Sequence, residues 1–320
     1  MFRVAVLDDY QRVALSMADW KSLEPEGEVQ AFADNLVDVP RLAERLHTFD
    51  AAVLMRERTP FPRALIERLP NLRLIVTSGM RNASIDVAAA TEKGVQVAGT
   101  EMLGYPTAEL AWGLIIGLLR HIPFEAQAMR KGAWQTTLGT GLNGRTLGVL
   151  GLGKLGAQVA TIGKAFGMRV IAWSQNLTAE RAVAAGAKLV SKEALFAEAD
   201  VITIHLVLSD RTRGLVGAAE LGRMKPTAHL VNTSRGPIID SKALIETLRA
   251  RRIAGAGLDV YDQEPLPADH PLRTLDNVVL TPHLGYVLEE NYRLVYPQAV
   301  EAIRAFMAGK PVPRAINKVG

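Results

Sequence analysis

Three polar residues follow three short apolar runs in the second half of the chain, and their chemistries complement one another. Arg235 ends Val231-Asn232-Thr233-Ser234-Arg235, Glu264 follows Gly257-Leu258-Asp259-Val260 by a few residues, and His283 closes Thr281-Pro282-His283. Histidine titrates near neutral pH and can give a proton to the alkoxide that develops when a hydride reaches a carbonyl. A carboxylate beside it orients the ring and favours its protonated form. A guanidinium fork can hold a substrate carboxylate and the carbonyl oxygen together. Taken singly, each has a plainer reading: a surface ion pair, a solvated loop residue, a Pro-His turn. Their recurrence at successive strand ends favours chemistry.

A second feature supplies a partner for that chemistry. Gly151-Leu152-Gly153-Lys154-Leu155-Gly156 has the G-x-G-x-x-G spacing. A strand is expected to run into it over 146–150. A helix is expected after it, with Leu155, Val159, Ile162 and Phe166 on one face and Gly167 as its stop. In that setting glycines allow a sharp turn, close approach of a pyrophosphate and tight helix–strand packing, with the helix N-terminus facing the phosphates. The acid that would bind a ribose 2′-hydroxyl should follow the next strand, but Ser174, Gln175 and Asn176 stand there. No carboxylate repels a 2′-phosphate and no arginine attracts one, so NAD and NADP both remain open, with a lean to NADP.

The remaining histidines suggest less. His47, His121 and His270 are expected at helix ends or in loops, and His205 and His229 in or beside strands as satisfied positions. No H-x-x-x-H or H-E-x-x-H spacing occurs, so no metal site is expected. Cysteine is absent, which excludes disulfides, Cys-ligated zinc and thiol catalysis and suits a reducing, cytoplasmic setting. A signal peptide needs a basic start and a longer apolar core than MFRVAVLDDY offers, so none is expected. The most apolar run, 111–119, is about half a membrane span. A net charge of +4 without a basic run argues against nucleic acid; Arg249, Arg251 and Arg252 read as a solvated helix end.

The elements that must position these groups alternate along the chain. Its 320 residues suggest two domains at roughly 150 residues each. Strands are expected over 2–7, 51–55, 72–77 and 95–98, with helices over 40–47, 62–69 and 86–93 between them. A long helical pattern covers 103–130. Six further strands follow, over 146–150, 169–173, 201–206, 229–232, 256–260 and 278–281, enough for a doubly wound sheet. Ligands bind outside the carboxyl ends of such strands, where Arg235, Asp259, Glu264 and His283 fall.

These motifs, in this order and spacing, resemble the D-isomer-specific 2-hydroxyacid dehydrogenases over essentially the whole chain, including Met224-Lys225-Pro226 and Glu264-Pro265. The resemblance implies an α/β protein of two doubly wound domains. A Rossmann-type cofactor domain (100–287) is inserted in a flavodoxin-like substrate domain (1–99 with 288–320), and the protein is a homodimer. It implies NAD(P)H-dependent, reversible reduction of a 2-keto acid to a D-2-hydroxy acid. His283 is the acid–base, Glu264 its partner and Arg235 the substrate's anchor. Asp259 falls near the nicotinamide carboxamide, and Thr107, the glycine loop, 174–176, Thr233, Ser234 and His283 line the cofactor.

Substrate contacts fall on Arg56, Ser78, Gly79 and Met80, with the N–H groups of Gly79 and Met80 offered to the substrate carboxylate. Arg81 replaces a family glycine and Val207 a family proline. Arg56, Arg58 and Arg81 hint at a second substrate anion. Glyoxylate, hydroxypyruvate, D-glycerate, D-lactate and bulkier acids would share this catalytic set. A non-catalytic NAD(H)-binding regulator of the same fold, or hydride removal from formate or phosphite, are the alternatives.

Overall fold

The computed structural model describes residues 1–319. It divides into two compact units. One comprises Met1–Leu103 and the chain from Leu288 onward, and the other is Gly104–Val287.

The first unit is built on a five-stranded parallel sheet of β1 (Phe2–Val6), β2 (Gly27–Ala31), β3 (Ala51–Leu54), β4 (Leu74–Thr77) and β5 (Gln96–Gly99). Their order is β2-β1-β3-β4-β5, the flavodoxin-like arrangement. β3 and β4 are buried at every position because helices cover both faces, which is why they read as unbroken apolar runs. β2 was not expected: Glu28 and Gln30 point outward from an edge strand, so its apolar signal is diluted. Two short helices start on aspartates. Asp38 caps Val39–Leu46 and Asp86 caps Val87–Glu92, each accepting a backbone N–H of the first turn. After the second unit the chain returns through helix Glu289–Met307, which packs on β4. Asn317 then fixes the tail to β5, accepting the Val97 N–H at 2.7 Å.

The second unit holds a seven-stranded parallel sheet: β6 (Thr146–Leu150), β7 (Arg169–Trp173), β8 (Lys188–Leu189), β9 (Val201–Ile204), β10 (His229–Asn232), β11 (Gly255–Leu258) and β12 (Val278–Leu280). The order β12-β11-β10-β9-β6-β7-β8 is the Rossmann order with one strand added beyond β11. The seventh strand, β8, is a two-residue edge strand too short to leave a sequence pattern. Both faces are covered. Leu150, Ile202, Leu230 and Leu258 face one apolar layer, and Leu147, Val149, Val201 and Val231 face the other.

The continuous helical pattern over 103–130 breaks into Pro106–Leu119 and Ile122–Arg130. Pro123 has no N–H and its ring would clash with the carbonyl of Leu119. His121 therefore adopts left-handed backbone, and the freed Leu119 carbonyl accepts the Thr140 N–H at 2.7 Å.

Candidate active site

The glycine loop opens directly from β6. Gly151 has φ +103, and a Cβ there would stand 2.7 Å from the His205 carbonyl oxygen, so only glycine makes this turn. A Cβ on Gly156 would run into the Gly151 carbonyl oxygen, so the helix Lys154–Ala165 starts hard against the strand. Gly153 differs: it is exposed, and a Cβ there would meet nothing within 4 Å. The loop thus has two glycines demanded by the protein and one that leaves a face open.

Across the reversal of strand order lies Thr233, just past β10. Its Oγ1 is buried and has no hydrogen-bond partner, which a native interior rarely leaves standing. The open glycine, the helix N-terminus beside it and this waiting hydroxyl fit a dinucleotide. Ser234 is differently employed: its Oγ donates to the Ile204 carbonyl at 2.9 Å and its N–H to Asn232 Oδ1, joining the ends of β9 and β10. Ser174, Gln175 and Asn176 follow β7, with Gln175 and Asn176 exposed.

The three catalytic candidates come from neighbouring strand ends of this same sheet. His283 Nδ1 and Glu264 Oε2 are 2.5 Å apart. With Nδ1–H donated to the carboxylate, Nε2 is the ring nitrogen that acid–base work would use. The side chain of His283 is 16% exposed. Burial acts to raise the Glu264 carboxyl. The His283 hydrogen bond and charge, the Tyr261 N–H and the Arg235 charge outweigh it and hold the carboxyl below its ordinary value. Arg235 enters through an extended residue, its Nη1 donating to the Ser234 carbonyl at 2.6 Å. Gly236 lets this segment press on the next loop, since a Cβ there would strike the Tyr261 carbonyl.

His283 has φ +54, a left-handed conformation uncommon outside glycine. Asp259 enforces it. This carboxylate is fully buried just past β11, and it accepts Thr281 Oγ1 (2.6 Å) and the N–H groups of Leu284 (2.7 Å) and Gly285 (2.9 Å). Burial raises its carboxyl despite these bonds and the His283 charge. Thr107 donates to the Gly285 carbonyl at 2.9 Å and ties the same loop to helix Pro106–Leu119.

Tyr261 was not singled out from the sequence. Its hydroxyl lies 3.0 Å from the Leu258 carbonyl and 2.9 Å from that of Thr281, bridging β11 and β12, while its N–H donates to Glu264 Oε1 at 2.9 Å. An aromatic residue between an aspartate and a Glu-Pro pair carries no sequence signal of this.

His205, expected to be a satisfied position, is only half satisfied. Nε2 lies 2.9 Å from Thr203 Oγ1, but Nδ1 is buried without a partner. Burial pushes this imidazole down to about 4, and the His229 ring likewise.

In the first unit the substrate candidates gather at the carboxyl ends of β3 and β4. Arg56 donates its N–H to Ser78 Oγ at 2.8 Å. The Gly79 N–H, expected to be free for a carboxylate, is already given to Thr100 Oγ1 at 3.1 Å; the β5 end lies close enough to claim it. Met80 and Arg81 are exposed. Asn82, not anticipated, donates to the Arg56 carbonyl at 2.6 Å and Thr77 Oγ1 at 2.9 Å. Among the described residues no group of three or more His, Asp or Glu is placed to hold a metal, and no helix is long and apolar enough to cross a membrane.

Residues 112–285 match the family model described as "D-isomer specific 2-hydroxyacid dehydrogenase, NAD binding domain". A glyoxylate reductase of Aeropyrum pernix is 41% identical over 264 residues, 79% of this chain and 79% of that one. A D-3-phosphoglycerate dehydrogenase of Methanocaldococcus jannaschii is 37% identical over 99% of this chain, which spans only 60% of that longer relative. The crystal structure of a phosphoglycerate oxidoreductase from Vibrio cholerae O395 superposes with a TM-score of 0.92 at 39% identity, covering 97% of this chain and all of that one. More than half of the chain matches the family model, and the relatives extend the likeness beyond the dinucleotide-binding unit. The chain therefore belongs to the D-isomer specific 2-hydroxyacid dehydrogenase family and is an oxidoreductase that uses a nicotinamide cofactor.

Proposed function

We propose that the chain reversibly reduces a 2-keto acid to its D-2-hydroxy acid, with NAD(P)H as the reductant. The observation that carries this reading is the 2.5 Å His283–Glu264 pair on the dinucleotide-binding sheet, with Arg235 close enough for its charge to act on Glu264. A bound nicotinamide supplies the hydride to the carbonyl carbon. His283 gives the Nε2 proton to the carbonyl oxygen as negative charge develops there, and Glu264 steadies the ring before and after the transfer. Arg235 holds the substrate carboxylate and polarises the carbonyl. In the reverse direction His283 takes the hydroxyl proton. Asp259 and Thr107 keep the His283 loop in its left-handed turn. Thr233 Oγ1 would help hold a bound cofactor, and Asp259 would keep the role near the carboxamide that the family resemblance implies.

Short keto acids are the leading substrates, because the Aeropyrum pernix relative is a glyoxylate reductase of similar length. Where the ribose 2′ position would be read, Ser174, Gln175 and Asn176 carry no charge, so either nicotinamide cofactor is admitted and NADPH is not repelled. The protein is further proposed to work as a homodimer. The test of the reaction is a panel of glyoxylate, hydroxypyruvate and pyruvate against NADH and NADPH, followed by loss of reduced-nicotinamide absorbance. Turnover of at least one pair is expected; none with any pair overturns the reading and favours a non-catalytic NAD(H)-binding role.

A further inference from the structure

Tyr261 touches all three segments that carry Arg235, Glu264 and His283. It lies just past the end of β11, and its half-buried ring packs against the apolar layer that includes Leu230 and Leu258. Its N–H is given to Glu264 Oε1 at 2.9 Å, while Oε2 of the same carboxylate meets His283 Nδ1. Its hydroxyl stands 2.9 Å from the Thr281 carbonyl and 3.0 Å from the Leu258 carbonyl, so one proton serves both. On the Arg235 side, Gly236 has no side chain, and a Cβ there would stand 2.3 Å from the Tyr261 carbonyl oxygen.

The hydroxyl acts where the His283 turn closes. The Thr281 carbonyl also accepts the His283 N–H at 3.1 Å, and the Leu258 carbonyl the Thr281 N–H at 2.9 Å. The turn is a costly one, since His283 has φ +54, and such backbone at a non-glycine residue persists only where its surroundings enforce it. Asp259 holds the N–H groups that follow His283, and Tyr261 holds the carbonyl that precedes it. The hydroxyl is a donor throughout the neutral range. Burial raises it above the ordinary tyrosine value, and the Asp259 and Glu264 charges add to this against Arg273 and the bond to Thr281.

We infer that Tyr261 is a positioning residue for the His283–Glu264 pair: its N–H fixes the carboxylate, its hydroxyl fixes the turn that carries the imidazole, and one residue thereby sets the contact between them. This rests on the acid–base role given to His283 above. A charge-assisted hydrogen bond as short as this one weakens when its partners drift apart. Misplacing a reacting group by roughly 1 Å can cost about 10²-fold in rate, and a partial loosening costs less.

The experiment compares the full chain with Tyr261→Phe, which keeps the ring and removes the hydroxyl. Each carbonyl keeps its other donor, so the variant should fold. With glutamate labelled at its carboxyl carbon, the Glu264 resonance is identified by its absence from Glu264→Gln and followed against pH. Burial raises this carboxyl, and the His283 hydrogen bond is the largest of the effects that lower it. Loosening the pair should therefore raise the Glu264 midpoint in Tyr261→Phe by about half a pH unit. The single-turnover rate with glyoxylate or hydroxypyruvate should fall roughly fivefold, with NADH and NADPH affinities within about twofold of wild type. An unmoved midpoint or an unchanged single-turnover rate in the folded variant overturns the proposal. Loss of the fold overturns it too, because the hydroxyl is then a stabilising contact alone. If the wild type turns over neither acid with either cofactor, the keto-acid reading has failed, and the carboxyl titration by itself decides whether Tyr261 sets the pair.

Discussion

At the scale of single residues, the proposed chemistry depends on how a few side chains hold His283. Replacing its imidazole with a methyl group removes the proton donor while leaving Arg235 and the glycine loop in place. His283→Ala is expected to lower kcat by a factor on the order of 10² to 10⁴, the range of general acid–base catalysis. Steady-state turnover near the wild-type rate would remove His283 from the reaction. Glu264 offers a second test, in stability. Its carboxyl is held below the ordinary 4.5 chiefly by His283, against the opposing effect of burial. A depressed carboxyl contributes stability that is fully present above pH 4.5 and is lost as pH falls through the lower folded-state value. Chemical denaturation should therefore show wild type above Glu264→Gln at pH 6 to 7, with the gap narrowing below pH 4.5. A gap that stays constant down to pH 3 would mean the pair adds nothing through its charge. Arg235, Glu264 and His283 were legible because their residue types are chemically unusual at strand ends. Tyr261 and Asn82 were not, because a Tyr or an Asn in a loop has too many ordinary uses.

At the scale of elements, the three glycines of the loop separate what the fold requires from what a ligand requires. Gly153 has φ −85, which any residue tolerates, and open space where a side chain would go. Gly153→Ala should fold as well as wild type, within about 0.5 kcal/mol, yet bind NADH and NADPH at least tenfold more weakly because its methyl occupies the face the dinucleotide approaches. Gly156→Ala should lose stability as well, since its Cβ collides with backbone. Equal cofactor affinity in Gly153→Ala and wild type, measured by calorimetry, would move the dinucleotide away from this loop.

The strands that carry the site were readable for a related reason. β6, β9 and β10 are buried at every position, and apolar residues predominate in β6 and β9, while Leu230 and Val231 form the apolar centre of β10. What escaped notice lies at the margins. β2 alternates polar residues on an edge, β8 is two residues long, and the break at His121 depends on one proline inside an otherwise unbroken helical pattern.

At the scale of the whole molecule, the chain leaves its first unit after β5, completes the second, and returns through helix Glu289–Met307. The second unit buries its helices on its sheet with one exception. Helix Ile122–Arg130 buries none of its residues, and the segment it begins exposes Ile122 (51%), Met129 (59%), Trp134 (73%) and Leu138 (93%). Single exposed apolar residues are ordinary, but a run of large ones including tryptophan has the composition of a surface suited to contact with another protein. A second copy of this chain is the occupant consistent with the homodimer proposed above. Sedimentation velocity at micromolar concentration should show a dimer for wild type, and a monomer when Trp134→Lys and Leu138→Asp are combined. These side chains touch mainly solvent within their own chain, so the double variant should keep the secondary structure of the wild type by circular dichroism. A wild type that sediments as a monomer, or a double variant that remains dimeric, would leave this apolar segment without the assigned partner.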